Sequence, residues 1–131
     1  RIVDMTVTVR PMGQGSYRWF RLHVAKDGRH DTIIRYKPNE STLKIDRIRS
    51  GLPRDIVHTR SFLVAPNNGE IKLRVILDRF SVEVFVNDGE VAASAVIYTR
   101  QEADAITFEA DGQVLIDVEK YDLLFEDGGE R

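Results

Sequence analysis

The chain contains no cysteine. That absence removes disulfide bridges, thiolate nucleophiles and every zinc site built on cysteine. It also suits a reducing compartment, so a cytoplasmic location is expected. Histidine is nearly as scarce. His23, His30 and His58 are the three present, and none has a second ligand at a recognised metal spacing apart from the weak pair His30-Asp31. No metal or other cofactor is expected. Long apolar runs are missing too: nothing approaches the roughly 20 residues needed to span a bilayer. Charge of one sign is also lacking. Lys plus Arg number 19 against 21 Asp plus Glu, for a net charge of -2, which gives no long-range pull towards nucleic acid or an anionic membrane. The chain opens RIVDMTVTV, with neither an initiator Met nor a signal-like segment. A piece cut from a longer polypeptide is the expectation; a processed natural chain is the alternative.

What is present is alternation. Val3, Met5, Val7 and Val9 alternate with polar neighbours, as do Phe20, Leu22 and Val24, then Ile71, Leu73, Val75 and Leu77, then Val82, Val84 and Val86. Each set reads as a strand with one face in a core. Further strands are expected at 31–37, 41–47, 57–64, 91–99, 104–110 and 113–122. Between them stand the hairpin-type dipeptides Asp27-Gly28, Asn68-Gly69, Asp88-Gly89 and Asp111-Gly112, whose residues tolerate the positive φ of tight turns. Pro11, Pro38, Pro53 and Pro66 read as falling between the runs. No long stretch carries a helical stripe. The 131 residues suffice for one domain. The expected fold is all-β: a two-layer antiparallel β-sandwich of the jelly-roll or concanavalin-like kind, with no substantial helix. One domain over 1–125 is expected, followed by a flexible tail over 126–131.

The stretch LDRFSVEVFVNDGE, residues 77–90, sets acids beside a serine and an arginine. Alternation sends Val82, Val84 and Val86 to the core and leaves Ser81, Glu83 and Phe85 on the other face. Ser81 has no histidine nearby in sequence to serve as its base. Asp78 and Arg79 sit at the bend between two strands, where Asp78 is expected to bond backbone N–H groups and Arg79 to pair with an acid such as Glu83. Asn87-Asp88-Gly89 reads as a hairpin turn, with too few oxygens for calcium. Asp46 and Arg47 open a second charged turn that ends in Ser50-Gly51, again read as a strand end closed by side-chain bonds to backbone. A sandwich glucan hydrolase would use an E-x-D-x-x-E run to hold its two carboxyls about 5–5.5 Å apart. Glu102-x-Asp104 and Glu109-x-Asp111 each lack the last glutamate, with Thr107 and Val114 at those positions.

A second feature is the row Tyr17, Trp19, Arg21 and His23, placed by alternation opposite Phe20, Leu22 and Val24. So much aromatic surface is not left in water without a reason. Another strand layer, a partner domain or a stacked sugar would each cover it.

Taken in order, these segments resemble one domain. Leu77 to Gly89 is similar to the D-R-S-S-V-E-V-F-x-N-x-G signature of the C-terminal β-sandwich of glycoside hydrolase family thirty-two, the invertases, sucrose-6-phosphate hydrolases, levanases and inulinases. Leu43 to Arg47 with Ser50-Gly51 resembles that domain's L-x-x-D-R-x-x-S-G segment, and Ala95 to Thr99 its R-I-Y-P element. Phe80, Ala95 and Thr99 depart from the pattern. The resemblance implies a two-part β-fructosidase acting on sucrose, sucrose-6-phosphate or fructan. Its catalytic residues would lie in an upstream five-bladed propeller, in N-D-P-N-G, R-D-P and E-C motifs that do not occur here. By that resemblance this chain is non-catalytic and stabilises the propeller. Asp46, Arg47, Asp78, Arg79, Asn87, Asp88 and Gly89 would be structural, and Tyr17, Trp19, Arg21, His23, Glu83 and Phe85 would meet the propeller or a sugar. The implied partners are the propeller of the same polypeptide, a second copy in a homodimer, and a fructan or oligosaccharide, with no nucleic acid or membrane. A carbohydrate-binding module using the Tyr17/Trp19 face is the alternative, and secretion would follow if the parent is a levanase or inulinase.

Overall fold

A computed structural model describes residues 2–13, 16–47, 59–78, 81–97 and 104–122. Arg79, Phe80, Ile48 to Gly51, Pro53, His58, Tyr98, Thr99, Glu102 and the tail from Glu126 lie outside the described residues. The described chain forms ten strands: β1 (Val3–Pro11), β2 (Tyr17–Lys26), β3 (Thr32–Lys37), β4 (Thr42–Asp46), β5 (Thr59–Leu63), β6 (Ile71–Leu77), β7 (Ser81–Val86), β8 (Val91–Val96), β9 (Ala105–Gly112) and β10 (Val114–Asp122). One antiparallel sheet has the order β10-β1-β6-β7-β8 and the other β5-β4-β3-β2-β9. The only helical elements among the described residues are two single 3₁₀ turns, Pro38–Glu40 and Asn87–Gly89.

Alternation builds the core directly. Val3, Met5, Val7 and Val9 of β1 are buried, and so are Ile71, Leu73, Val75 and Leu77 of β6 and Val82, Val84 and Val86 of β7. Across from them Phe20, Leu22, Ile34, Tyr36, Leu43 and Ile45 come from the second sheet and are fully buried. Each such aliphatic side chain taken out of water stabilises the fold by about 1.5–3 kcal/mol, so the sheets hold each other face to face.

Four expectations change. Pro11 is the last residue of β1, opposite Val114, and not part of a loop. It does little harm there because the ladder to β6 ends two residues earlier, at Val9–Ile71. Asp111-Gly112 is no hairpin turn: β9 and β10 belong to different sheets, and Gln113 alone separates them. The chain therefore switches layers at a point where Gly112 has φ +125 and a Cβ would lie 2.8 Å from both Ser16 O and Tyr17 Cα. Asn68-Gly69 is a tight turn, with Asn67 and Glu70 exchanging backbone bonds of 3.0 and 2.9 Å, but it lies within the connection from one sheet to the other.

The fourth change concerns Tyr17. The β2–β9 register shifts between Tyr17 and Trp19. The bulge turns Arg18 out to solvent and Tyr17 into the core, where only 1% of it is exposed. Such a bulge adds one residue and so reverses the facing of what precedes it. Tyr17 donates its hydroxyl to Gly69 O at 2.9 Å, and Tyr36 donates to Val64 O at 2.7 Å. Burial pushes the Tyr17 hydroxyl far above the usual phenolic range, helped by the nearby Tyr36. Burial, with the Glu90 charge adding to it, pushes Tyr36 up to about 12.

Two outcomes follow from this packing. Gly112→Ala is expected to cost about 1–3 kcal/mol by forcing a Cβ into a left-handed, crowded site. Gly28→Ala, with nothing within 4 Å of the added Cβ, stays within about 0.5 kcal/mol. Urea unfolding of the two variants separates them. The tyrosines set an alkaline limit. An unfolded phenol ionises near about pH 10, so the stability held by the raised hydroxyls is complete below that value and falls as pH rises through it towards about 12. The unfolding midpoint should drop steeply over that window, and the Tyr17→Phe/Tyr36→Phe variant should show a shallower fall.

Candidate functional site

Within the 77–90 stretch, polar side chains at both ends tie down the turns. Asp78 Oδ1 accepts the Ser81 N–H at 2.7 Å, while the Asp78 N–H reaches Ser81 O at 3.1 Å. That closes the β6–β7 hairpin. At the other end Asn87 Oδ1 accepts the Lys72 N–H at 3.0 Å, and Lys72 Nζ donates to Asp88 Oδ1 at 2.8 Å. Asn87, Asp88 and Gly89 all hold positive φ, of 48, 59 and 101°, so the β7–β8 turn is tied back to β6. Glu83 and Phe85 lie half-buried on the outer face of β7, opposite Ile76 and Arg74 on β6. On the second sheet Asp46 ends β4 half-buried, and Arg47 behind it is buried.

On the outer face of β2, Arg21 stacks over the half-buried Trp19, 4.1 Å from the ring centroid. His23 is on this face, as alternation places it, yet it is buried. Its Nδ1 lies 2.9 Å from Asp31 Oδ2, and its Nε2 contacts Glu109 Oε1. The histidine is thus held by two carboxylates, one from the β2–β3 connection and one from β9. His30, which sequence proximity would pair with Asp31, instead faces Asp27. Asp27 also accepts the Arg29 and His30 N–H groups, and these bonds hold its carboxyl below the usual range.

Two surfaces escape any reading of the sequence. A groove of about 550 Å³ crosses the outer face of the first sheet, with Phe85 and Tyr121 among its lining residues. Arg74 grips Asp4 there in a two-pronged bond of 3.0 and 2.7 Å, which lowers the Asp4 pKa. The pair joins residues 70 positions apart, so no local pattern announces it. The other surface is the side where β9 and β10 end their respective sheets. Of the large apolar side chains exposed among the described residues, Phe108 and Val118 face this seam and Met12 lines the hollow beside it, whereas Leu115 and Tyr121, opposite Arg10 and Asp4, lie on the outer face of the first sheet. Val118 stands opposite the core residue Val7, and Phe108 opposite Leu22. Both therefore point inward, yet they keep 43% and 36% of their surface exposed, so the seam between the sheets stays open on this side. A hollow of about 400 Å³ lies there, lined by Met12, Phe108, Val114 and Ile116 among others.

Chemically, the acids described are largely committed to structural partners. Asp4 pairs with Arg74, Asp31 and Glu109 with His23, Asp88 with Lys72, Asp111 with Arg18 and Asp117 with Arg10. Among the described residues no group of three or more His, Asp or Glu could hold a metal ion.

Comparison with known proteins places this architecture. The family described as glycosyl hydrolases family 32 C terminal matches residues 2–123. A levanase of Bacillus sp. (strain L7) is 33% identical over 113 residues, 84% of this chain and 12% of that protein. A sucrose-6-phosphate hydrolase of Staphylococcus xylosus is 36% identical over 109 residues, 80% of this chain and 21% of that protein. The chain thus spans less than a quarter of either relative. Among solved structures, the exo-inulinase from Aspergillus awamori superposes with a TM-score of 0.81 over 94% of this chain and 25% of that one, at 19% identity, a likeness of fold. The turn-tied sandwich and the sequence relatives agree: this chain belongs to the C-terminal domains of glycoside hydrolase family 32.

Proposed function

We propose that this sandwich is the non-catalytic accessory domain of a β-fructofuranosidase-type hydrolase, whose catalytic residues lie in another part of the polypeptide. One observation carries the reading: Phe108 and Val118 face inward at the β9/β10 seam but remain open, with the exposed Met12 beside them. Soluble domains seldom leave contiguous apolar surface uncovered unless something packs on it. In this reading the catalytic part closes the seam, and the sandwich buries apolar surface of that neighbour in return. The committed acids fit a scaffold. The parent's substrate belongs to the sucrose, sucrose-6-phosphate and fructan class that names the relatives.

Sugar binding is a second reading, and its location moves. Tyr17 is in the core, which leaves the Tyr17/Trp19 face with one aromatic ring. The groove with Phe85 and Tyr121 has two, flanked by Asp4, Lys72 and Arg74, the mixture of flat apolar faces and polar groups that a sugar requires.

The chain by itself is expected to release no fructose from sucrose, raffinose or inulin. Turnover that survives repurification and disappears with Glu83→Gln would refute the accessory role. Val118→Asp should shift the stability of the isolated chain by less than about 1 kcal/mol, because the side chain is already half in water. In the full polypeptide it should cost about 2 kcal/mol or more by placing a charge in a closed interface. Titration calorimetry with fructans decides the second reading: heat that disappears with Tyr121→Ala favours it, and no heat at millimolar sugar excludes useful binding.

A further inference from the structure

The outer face of the second sheet carries a cationic ladder. Arg21 of β2 stands directly across from Arg35 of β3, and Arg35 across from Lys44 of β4. Neighbouring strands are about 4.8 Å apart, and like charges set directly opposite destabilise a sheet. Two residues along β3, on the same face, comes Lys37. Carboxylates offset this row only in part, Asp46 standing two residues from Lys44 on the same face of β4. Glu109, across from Arg21, is bonded to His23, and Glu40 lies 3.8 Å from Lys37. Among the described residues neither Arg35 nor Lys44 has an ion pair, and the Nε atoms of Arg21 and Arg35 are buried without an acceptor.

The cations surround an actual depression. Arg35, Lys37, Lys44, Thr42, Ser61 and Glu40 line a hollow of about 160 Å³. Ser61 continues the ladder, since it stands across from Lys44, and Thr42 stands across from Lys37. The rows are about 6.5–7 Å apart along the strands and about 4.8 Å across them. That frame fits one compact group with several acceptor oxygens. Three cations and the Ser61 hydroxyl supply donors in excess, while Thr42 donates its hydroxyl to Glu40 O at 2.9 Å, and guanidinium and ammonium groups bond oxyanions with short charge-assisted bonds.

We propose that this hollow is a binding site for a tetrahedral oxyanion, a phosphate group free or carried on a small ester, held by Arg35, Lys37 and Lys44 with Ser61. The ligand would quench the repulsion along the ladder, so binding and stability are coupled. The site is independent of the apolar seam and of the accessory role.

The test is titration of the 131-residue chain with inorganic phosphate and with glucose 6-phosphate, against chloride at equal ionic strength, followed by calorimetry and amide chemical shifts. Saturable binding in the millimolar range or tighter is expected, with shifts centred on Arg35, Lys44 and Ser61. Arg35→Gln/Lys44→Gln should weaken it by at least about tenfold, the factor carried by roughly one charge-assisted hydrogen bond. Lys44→Gln alone should weaken it less and raise Tm at low salt by relieving the row. Equal binding of the two probes identifies the bare phosphate as the ligand; tighter binding of glucose 6-phosphate identifies an ester. Either supports the site. Shifts no larger than with chloride, shifts centred elsewhere, or an unchanged response in the double variant would overturn it. So would a response to polyglutamate that needs Arg35 when phosphate gives none, since that assigns the face to an acidic polypeptide.

Discussion

Everything in this domain depends on two sheets covering each other with alternate residues. The inward side chains of β1, β6 and β7 are buried, and so are those of β2, β3 and β4. Because the period is two, a slip of one residue would turn a strand's whole apolar set to solvent. Register is therefore the quantity the rest of the structure must protect. The polar turns do this. Asp78 fastens the β6–β7 hairpin by a bond to the Ser81 N–H, and Asn87 and Asp88 fasten the β7–β8 turn to Lys72. The charged 77–90 stretch, which looks like chemistry, is thereby explained as the device that fixes three adjacent strands.

The same constraint explains where the sandwich is incomplete. The chain leaves the second sheet at Gly112 and enters the first at Val114, so both final strands lie on one side. There the inward-facing Phe108 and Val118 find too little opposite them to be covered. An opening of this kind is a cost in an isolated domain and an asset in a larger one, since a neighbour that fills it gains apolar contact without disturbing either ladder. Family membership and the seam thus point to the same role by separate arguments.

Much of this was legible in the sequence, and the exceptions have particular causes. Period-two runs marked the strands, because one face of each meets a core. The residues around Asp78 and Asn87 marked turns, because their side chains bond within a few positions. Tyr17 was misplaced because a bulge, invisible to alternation, reverses its facing. Asp111-Gly112 carries hairpin chemistry, but the same positive φ that makes a hairpin also serves a change of layer. Glu109, the second partner of His23, and Arg74, the partner of Asp4, lie 86 and 70 residues away. The Arg21–Arg35–Lys44 row needs three strand registers at once, so local patterns could not show these contacts.

The central claim is that this sandwich works as one part of a larger hydrolase. The most direct measurement is the intact mass of the native polypeptide that contains LDRFSVEVFVNDGE. The account predicts a mass several times the 15.0 kDa of this chain. A native mass near 15.0 kDa would contradict it, because the seam would then have no neighbour in the same polypeptide.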